Sequence, residues 1–106
     1  MSKRVSAAAP IFAALGDKTR LSLVERLASG GALSITELTE GTDITRQAIT
    51  RHLDVLSDAG LVSALRDGRE RRFELRLKQV VQAQRYLDQI SADWDAALSR
   101  LRDLVE

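Results

Sequence analysis

The sequence of 106 residues has no cysteine, one histidine and one proline, and only 4% of its residues are aromatic. Without cysteine, the chain forms no disulfides, thiolate metal sites or cysteine nucleophiles. No apolar run approaches the ~20 residues that span a bilayer. Lys3 and Arg4 are not followed by the apolar stretch of a signal peptide. We therefore expect a soluble cytoplasmic protein with no membrane partner.

Neither sign of charge dominates, since the chain has 16 Lys and Arg residues and 15 Asp and Glu residues, for a net charge of +1. The overall charge therefore says nothing about a nucleic-acid partner, and the distribution of charge has to decide. Hydrophobic residues make up 44% of the chain and charged residues 29%, which is typical of globular proteins. The length suits a single domain over residues 1–106.

Two helices are predicted near the N-terminus from apolar residues spaced three and four apart. We place Pro10 in the first turn of a short helix that Gly16 ends, with residues 1–6 frayed outside it. Asp17 is placed to cap a second helix, which stops at residues 29–31. The apolar stripe of this second helix consists of Leu21, Val24, Leu27 and Ala28.

A helix-turn-helix pattern follows at residues 34–60. Residues 34–37 read Ser-Ile-Thr-Glu, the pattern of a capping box that opens a short helix through about Glu40. Asp43 or Thr45 then caps a second helix from Arg46 to about residue 59, which Gly60 closes. Its inward positions are Ile49, Leu53 and Leu56. Two short helices around a tight turn that contains glycine, the second helix polar outside, are typical of this motif.

The spacing of apolar residues changes from helical to strand-like after Gly60. Residues 61–65 and 72–75 are predicted as strands, joined by a turn at Asp67-Gly68. This hairpin predicts a two-stranded wing whose loop carries four arginines against two acidic residues. From about Gln79 to Leu104 the chain turns helical again, with an unbroken apolar stripe. Because so long a helix exceeds what the preceding residues can cover, we expect part of it to pack against a second copy.

These elements together predict a mainly α protein of the α+β winged-helix type. It should contain about five helices, a two-stranded wing and a long C-terminal dimerisation helix. Within the single domain, residues 10–77 form the predicted DNA-binding module and residues 79–105 the predicted dimerisation helix.

The second helix of the motif carries the side chains that read DNA. Arginine can donate to guanine or to phosphate, glutamine can pair with adenine, and threonine can contact a base edge or a methyl group. A solvated helix face would have similar composition, but the arginines of the wing favour the DNA interpretation. The predicted DNA-binding residues are Thr45, Arg46, Gln47, Thr50, Arg51, Arg66, Arg69, Arg71 and Arg72.

No catalytic, metal or cofactor site is predicted. His52, the single histidine, lacks enough partners for a metal site and is expected at the edge of the core or on a phosphate. No nucleophile or acid–base pair is spaced to act with it, so we do not predict an enzyme. Trp94 lies on the apolar stripe and is expected at an interface. The predicted dimer-interface residues are Ile11, Phe12, Leu87, Ile90, Trp94, Ala97, Leu101 and Leu104.

Several stretches resemble the ArsR/SmtB family of bacterial winged-helix regulators. The similarity covers about residues 10–77 and is carried by segments 15–21, 34–38, 45–53, 59–62 and 68–73. The resemblance implies a homodimer joined through its first and last helices. It also implies recognition helices in successive major grooves of double-stranded DNA, and repression of transcription.

The family's metal-sensing and redox-sensing patterns are missing. Ser34 and Thr36 stand where the family's arsenic and cadmium sensors have a Cys-x-Cys motif, and residues 79–106 contain no histidine. The chain thus resembles a metal-independent member, a dimeric repressor of a palindromic operator. Two alternatives remain open. One is a winged-helix protein-interaction module that no longer binds DNA. The other is a repressor gated by an unidentified small-molecule effector at the dimer interface, near Tyr86 and Trp94.

Overall fold

The structure, a computed structural model, describes residues 2–105, which form five helices and three short strands. In chain order these are α1 (Lys3–Leu15), α2 (Lys18–Gly30), β1 (Leu33–Ser34), α3 (Ile35–Thr39), α4 (Arg46–Asp58), β2 (Val62–Asp67), β3 (Glu70–Leu75) and α5 (Leu77–Val105). The predicted mainly helical winged-helix class is confirmed. Within residues 2–105, no helix combines the length and apolar character needed to cross a membrane.

Helix α1 begins earlier than the sequence predicted. Ser2 caps it, since its hydroxyl accepts a hydrogen bond from the backbone N–H of Val5 at 3.2 Å. Residues 3–6 are therefore helical, and Pro10 lies inside the helix instead of in its first turn. Pro10 is on the exposed side of α1, where water can bond the carbonyl that loses its helical donor.

The caps predicted for α2 and α3 are confirmed. One carboxylate oxygen of Asp17 accepts from the backbone N–H groups of Thr19 and Arg20 at 2.9 and 3.1 Å. At α3, the Ser34 hydroxyl accepts from the backbone N–H of Glu37 at 3.1 Å, and the Glu37 carboxylate accepts from that of Ser34 at 3.0 Å. Both caps satisfy backbone donors that a helix start leaves without partners.

The wing is a hairpin with one further strand along its side. Strands β2 and β3 pair antiparallel from Val62 opposite Leu75 to Asp67 opposite Glu70. Gly68 makes the turn at a φ of 64°, which favours glycine. The two-residue strand β1 pairs with β3 on the opposite side from β2, so the sheet has three strands instead of the predicted two. A two-residue strand is too short to show alternation in the sequence.

The core lies between helices α2 and α4 and the sheet. Six of its large side chains have no more than 1% of their surface exposed, namely Leu38, Ile49, Leu53, Leu56, Leu61 and Phe73. Ile11, Leu23 and Leu27 extend the same cluster toward α1 and α2. The inward positions predicted for α4 are thus confirmed, and its opposite face is left for solvent.

Gly60 lies in the short connection between α4 and β2. Gly60, at a φ of 76°, donates to the carbonyl of Ser57, and Leu61 donates to that of Leu56, each at 2.9 Å. This pair of bonds is the Schellman motif that ends a helix. A side chain at Gly60 would come within 3.0 Å of Gln79 on α5. Helix α4, strand β2 and the start of α5 therefore meet at one close-packed point.

Helix α5 extends far beyond the rest of the protomer. It has 29 residues, which corresponds to about 44 Å, and the protomer measures 65 Å along its longest axis. Ala83, in the first third of the helix, is its one fully buried residue. Farther along, Trp94 is 65% exposed and Leu104 is 84% exposed. The apolar stripe predicted on this helix is therefore present and uncovered in the isolated protomer.

Candidate nucleic-acid interface

The outer face of α4 presents polar side chains to solvent. Gln47 and Arg51, one turn apart, are exposed and make no hydrogen bond within the described residues. Buried Ile49 and Leu53 fix the opposite side of the helix in the core. The amide and the guanidinium therefore project from a rigid support, the arrangement that base recognition needs.

Three further predicted DNA contacts at the start of α4 are already hydrogen-bonded. The Thr45 hydroxyl caps the helix by accepting from the backbone N–H of Ala48 at 3.1 Å. Because a hydroxyl can accept and donate together, its O–H is still available for a phosphate. Arg46 donates to the Thr36 hydroxyl at 2.6 Å, and the Thr50 hydroxyl donates to the Arg46 carbonyl at 2.8 Å. The Arg46 contact holds the start of α4 against α3.

His52 anchors α4 to the start of α2. Its Nδ1 lies 3.3 Å from a guanidinium nitrogen of Arg20 and 3.9 Å from the Asp17 carboxylate. A guanidinium can only donate, so Nδ1 is the acceptor where this contact is a hydrogen bond. Arg20 also donates to the carbonyl of Ala14 at 2.5 Å. His52 is thus a half-buried structural residue at the edge of the core, which was one of the two places expected for it.

A basic cleft separates the wing from the two helices of the motif. Its volume is about 240 Å³, and it is lined by Ser34, Ile35, Thr36, Arg46, Arg69, Glu70 and Arg71. Three arginines and one glutamate thus line a cleft that is open to solvent. The structure brings together arginines of α4 and of the wing that the sequence could assign only to separate elements.

Successive arginines of β3 have different surroundings because neighbouring side chains of a strand point to opposite faces. Arg72 is bound by three carboxylates of the protein, those of Glu37 at 2.8 Å, Glu70 at 3.3 Å and Asp67 at 3.4 Å. It therefore joins the wing to α3.

Arg71, by contrast, lies over the ring of Phe73, with its guanidinium carbon 5.2 Å from the ring centroid. Throughout residues 2–105, no carboxylate approaches Arg71, Arg66 or Arg69 within 4.0 Å. Three of the four wing arginines are therefore available to an external anion, and the fourth is not.

Hydrogen bonds hold two carboxylates of this region in their charged form. The backbone N–H and hydroxyl of Ser34, together with the Arg72 guanidinium, lower the pKa of Glu37. The backbone N–H of Arg20 and the charge of its guanidinium lower the pKa of Asp17. Both carboxylates serve the scaffold, one bracing the wing and the other the start of α2.

The predicted dimer-interface residues divide into two groups. Ile11 is only 2% exposed and packs in the core of its own protomer, so it has no surface left for a partner. Phe12 is half-buried against Tyr86, with ring centroids 5.9 Å apart. Ala97 is half-buried as well. The remaining five are exposed apolar side chains along α5, namely Leu87, Ile90, Trp94, Leu101 and Leu104.

Ser34 and Thr36, the two positions compared above with a Cys-x-Cys motif, have structural roles here. The Ser34 hydroxyl belongs to the capping box, and the Thr36 hydroxyl accepts from Arg46. Across residues 2–105, no three side chains of the His, Cys, Asp and Glu types cluster as metal ligands.

Sequence reasoning missed the contacts that position the site. The Arg72–Glu37 pair joins residues 35 positions apart and the Arg20–His52 pair joins residues 32 apart. No local pattern in the sequence indicates either pair, although each of the four residues lies in a predicted helix or in the predicted wing.

Comparison with known proteins first defines the class. A family model described as "Helix-turn-helix domain" matches residues 15–63. The solved structure of an ArsR-like transcriptional regulator from Rhodococcus sp. RHA1 superposes with a TM-score of 0.83 at 33% identity, over 95% of this chain and 94% of that one. The molecule is therefore a winged helix-turn-helix transcriptional regulator.

Two curated relatives narrow the assignment. HTH-type transcriptional regulator Rv2034 of Mycobacterium tuberculosis is 34% identical over 93 residues, which cover 88% of this chain and 83% of the relative. The "Probable mercury resistance operon repressor" of Streptomyces lividans is 36% identical over 90 residues, which cover 85% and 71%. The chain belongs to the ArsR family. Because these relatives are named as regulators, the comparisons imply a non-enzymatic role.

Proposed function

We propose that the protein is a homodimeric, metal-independent repressor that binds a palindromic operator through two copies of α4 and the wing. The observation that carries this proposal is the basic cleft beside α4, whose lining includes Arg46, Arg69 and Arg71. Phosphate contacts of this kind supply most of the affinity of DNA-binding proteins.

Base recognition is assigned to Gln47 and Arg51 on the exposed side of α4. Gln47 can pair with N6 and N7 of adenine, and Arg51 with O6 and N7 of guanine. Thr45 stands at the N-terminus of a 13-residue helix, where the positive end of the helix dipole favours a phosphate. Helix α4 would therefore enter the major groove, with Thr45 at the sugar-phosphate backbone.

Dimerisation is assigned to the apolar stripe of α5. Large apolar side chains left 37–84% exposed along one helix are costly in water and typical of an interface that a second subunit covers. A two-fold dimer would present its recognition helices about 34 Å apart, one turn of duplex DNA. The matching operator is then a palindrome whose half-sites are centred about 10 base pairs apart.

The donor set supports operation without metal. The sequence has no thiolate to offer, and the hydroxyls of Ser34 and Thr36 are engaged in holding α3 and α4. Regulation by metal would need ligands that the described residues do not gather in one place.

The test selects binding sites from a random DNA library with the full chain and then footprints the enriched sequence. We expect a protected palindrome and binding that weakens steeply as salt rises. Arg51→Ala should reduce the discrimination between operator and random DNA by about 1–3 kcal/mol, whereas Arg100→Ala, at an exposed position on distal α5, should leave it unchanged. No footprint at low salt would refute the proposal and favour a protein-interaction module.

A further inference from the structure

The outer face of α4 carries a carboxylate that the proposed base contacts do not use. Asp54 is exposed and lies seven positions after Gln47 and three positions after Arg51. Residues spaced by three, four and seven positions share one face of a helix. A recognition helix in the major groove reads bases from positions with this spacing. Asp54 is therefore on the same face as the two side chains assigned to base recognition.

No contact among residues 2–105 accounts for this charge. The Asp54 carboxylate has no Lys, Arg or His nitrogen within 4.0 Å and accepts no hydrogen bond there. It lies in the second half of α4, where the helix dipole does not stabilise a negative charge. Asp58, four positions later, is exposed as well, and like charges at this spacing destabilise a helix. The carboxylate of Asp54 thus gives α4 no stability of its own.

A carboxylate on this face is also unfavourable beside DNA unless a base donates to it. Phosphate oxygens and most base atoms in the major groove are acceptors, and only the N4 amino group of cytosine and the N6 amino group of adenine donate there. Adenine places its N7 acceptor beside the amino group, whereas cytosine presents a donor alone. Because an ionised carboxylate only accepts, cytosine is its best match.

We propose that Asp54 selects a cytosine in each operator half-site by accepting a hydrogen bond from its N4 amino group. This inference rests on the proposed function, because it needs α4 in the major groove. Residues 51 and 54 are ~4.5 Å apart along the helix axis, close to the ~3.4 Å between successive bases of a strand. The cytosine bound by Asp54 therefore neighbours the guanine bound by Arg51. At other sequences the same carboxylate is left unpaired beside acceptors, which disfavours them.

The test compares the sites that full-length variants select from a random DNA library. Asp54→Asn preserves the shape of the side chain, but asparagine can pair with N6 and N7 of adenine. We expect the wild type to enrich cytosine at one position of each half-site, Asp54→Asn to enrich adenine there, and Asp54→Ala to enrich no base. Asp58→Asn makes the same charge change one turn farther along α4 and should retain the cytosine.

Affinities then measure the contact on the selected operator and on one in which that cytosine is replaced by thymine. The replacement should weaken wild-type binding about tenfold, the effect of losing one hydrogen bond to a charged group. It should have little effect on Asp54→Ala. The affinities are measured by fluorescence anisotropy at one fixed salt concentration, because salt changes all of them.

The outcomes separate this inference from the proposed function. If the wild type selects a palindrome and both Asp54 variants select the same one, the proposed function stands and the cytosine contact is refuted. An equal gain in affinity for all sequences in Asp54→Ala, with unchanged base preferences, would show that the carboxylate acts by repulsion alone and would also overturn the inference. If the wild type enriches no sequence, both the proposed function and the inference are wrong.

Discussion

Exchanging Arg71 or Arg72 for glutamine separates contact with DNA from support of the wing. The two residues are neighbours on β3 and carry the same charge, but only Arg72 is bound by carboxylates of the protein. Arg71→Gln should remove a phosphate contact and leave the fold intact. Arg72→Gln should leave the charge of Glu37 uncompensated and loosen the wing from α3.

The size of the Arg71 effect follows from counter-ion release. Each phosphate contact contributes about 0.9 to the slope of log affinity against log salt, so two wings per dimer contribute about 1.8. A fourfold rise in salt should therefore reduce the ratio of wild-type to Arg71→Gln affinity by about twelvefold. The loss should be equal on operator and random DNA, because a phosphate carries no sequence information.

Fluorescence anisotropy with labelled operator, measured across a salt series, gives both slopes, and urea unfolding gives the stabilities. Arg72→Gln should lower the urea midpoint, whereas Arg71→Gln should leave it in place. An unchanged slope for Arg71→Gln would refute its role as a phosphate contact. Equal stabilities of the two variants would refute the role of Arg72 as a brace.

Three further outcomes are expected. Leu101→Glu should yield monomers in sedimentation velocity, because it places a charge on the apolar stripe, while Arg100→Gln should keep the dimer. Leu53→Ala should lower the free energy of unfolding by about 2–5 kcal/mol, since the side chain is fully buried, and Val55→Ala on the exposed side of α4 by only ~0.5 kcal/mol. The folded-state pKa of Glu37 is depressed, so its contribution to stability is present above its ordinary pKa of 4.5 and is lost as pH falls through the folded value. Thermal melts over that range should accordingly show a smaller acid-induced decrease for Glu37→Gln than for the wild type.

The sequence predicted the elements whose signals are local. The capping box needs only Ser34 and Glu37 three positions apart, and α4 is marked by a repeating apolar stripe between two breakers. The predicted start of α1 was wrong. Pro10 was expected in the first turn of the helix, where proline is common, but it lies inside the helix on the exposed side, which tolerates it.

Contacts between distant segments were beyond sequence reasoning. The sequence does not distinguish the four arginines of the wing from one another. In the folded protein, Arg72 lies beside Glu37 and Arg71 is exposed to solvent. Burial of Ile11 within its own protomer likewise depends on how α1 packs.

The close-packed point at Gly60 has a mechanical consequence. At this point the end of α4 is in close contact with the start of β2 and the start of α5. The backbone N–H of Arg76 also donates to the carbonyl of Leu61 at 2.8 Å. Because α5 is long and is held at this contact, a rotation of α5 would carry α4 and the wing with it. In the proposed dimer, a small rotation where the two α5 helices cross would move both α4 helices and both wings together and change the distance between them. In that dimer, the spacing of the two proposed DNA-binding surfaces would be set at a place far from the DNA.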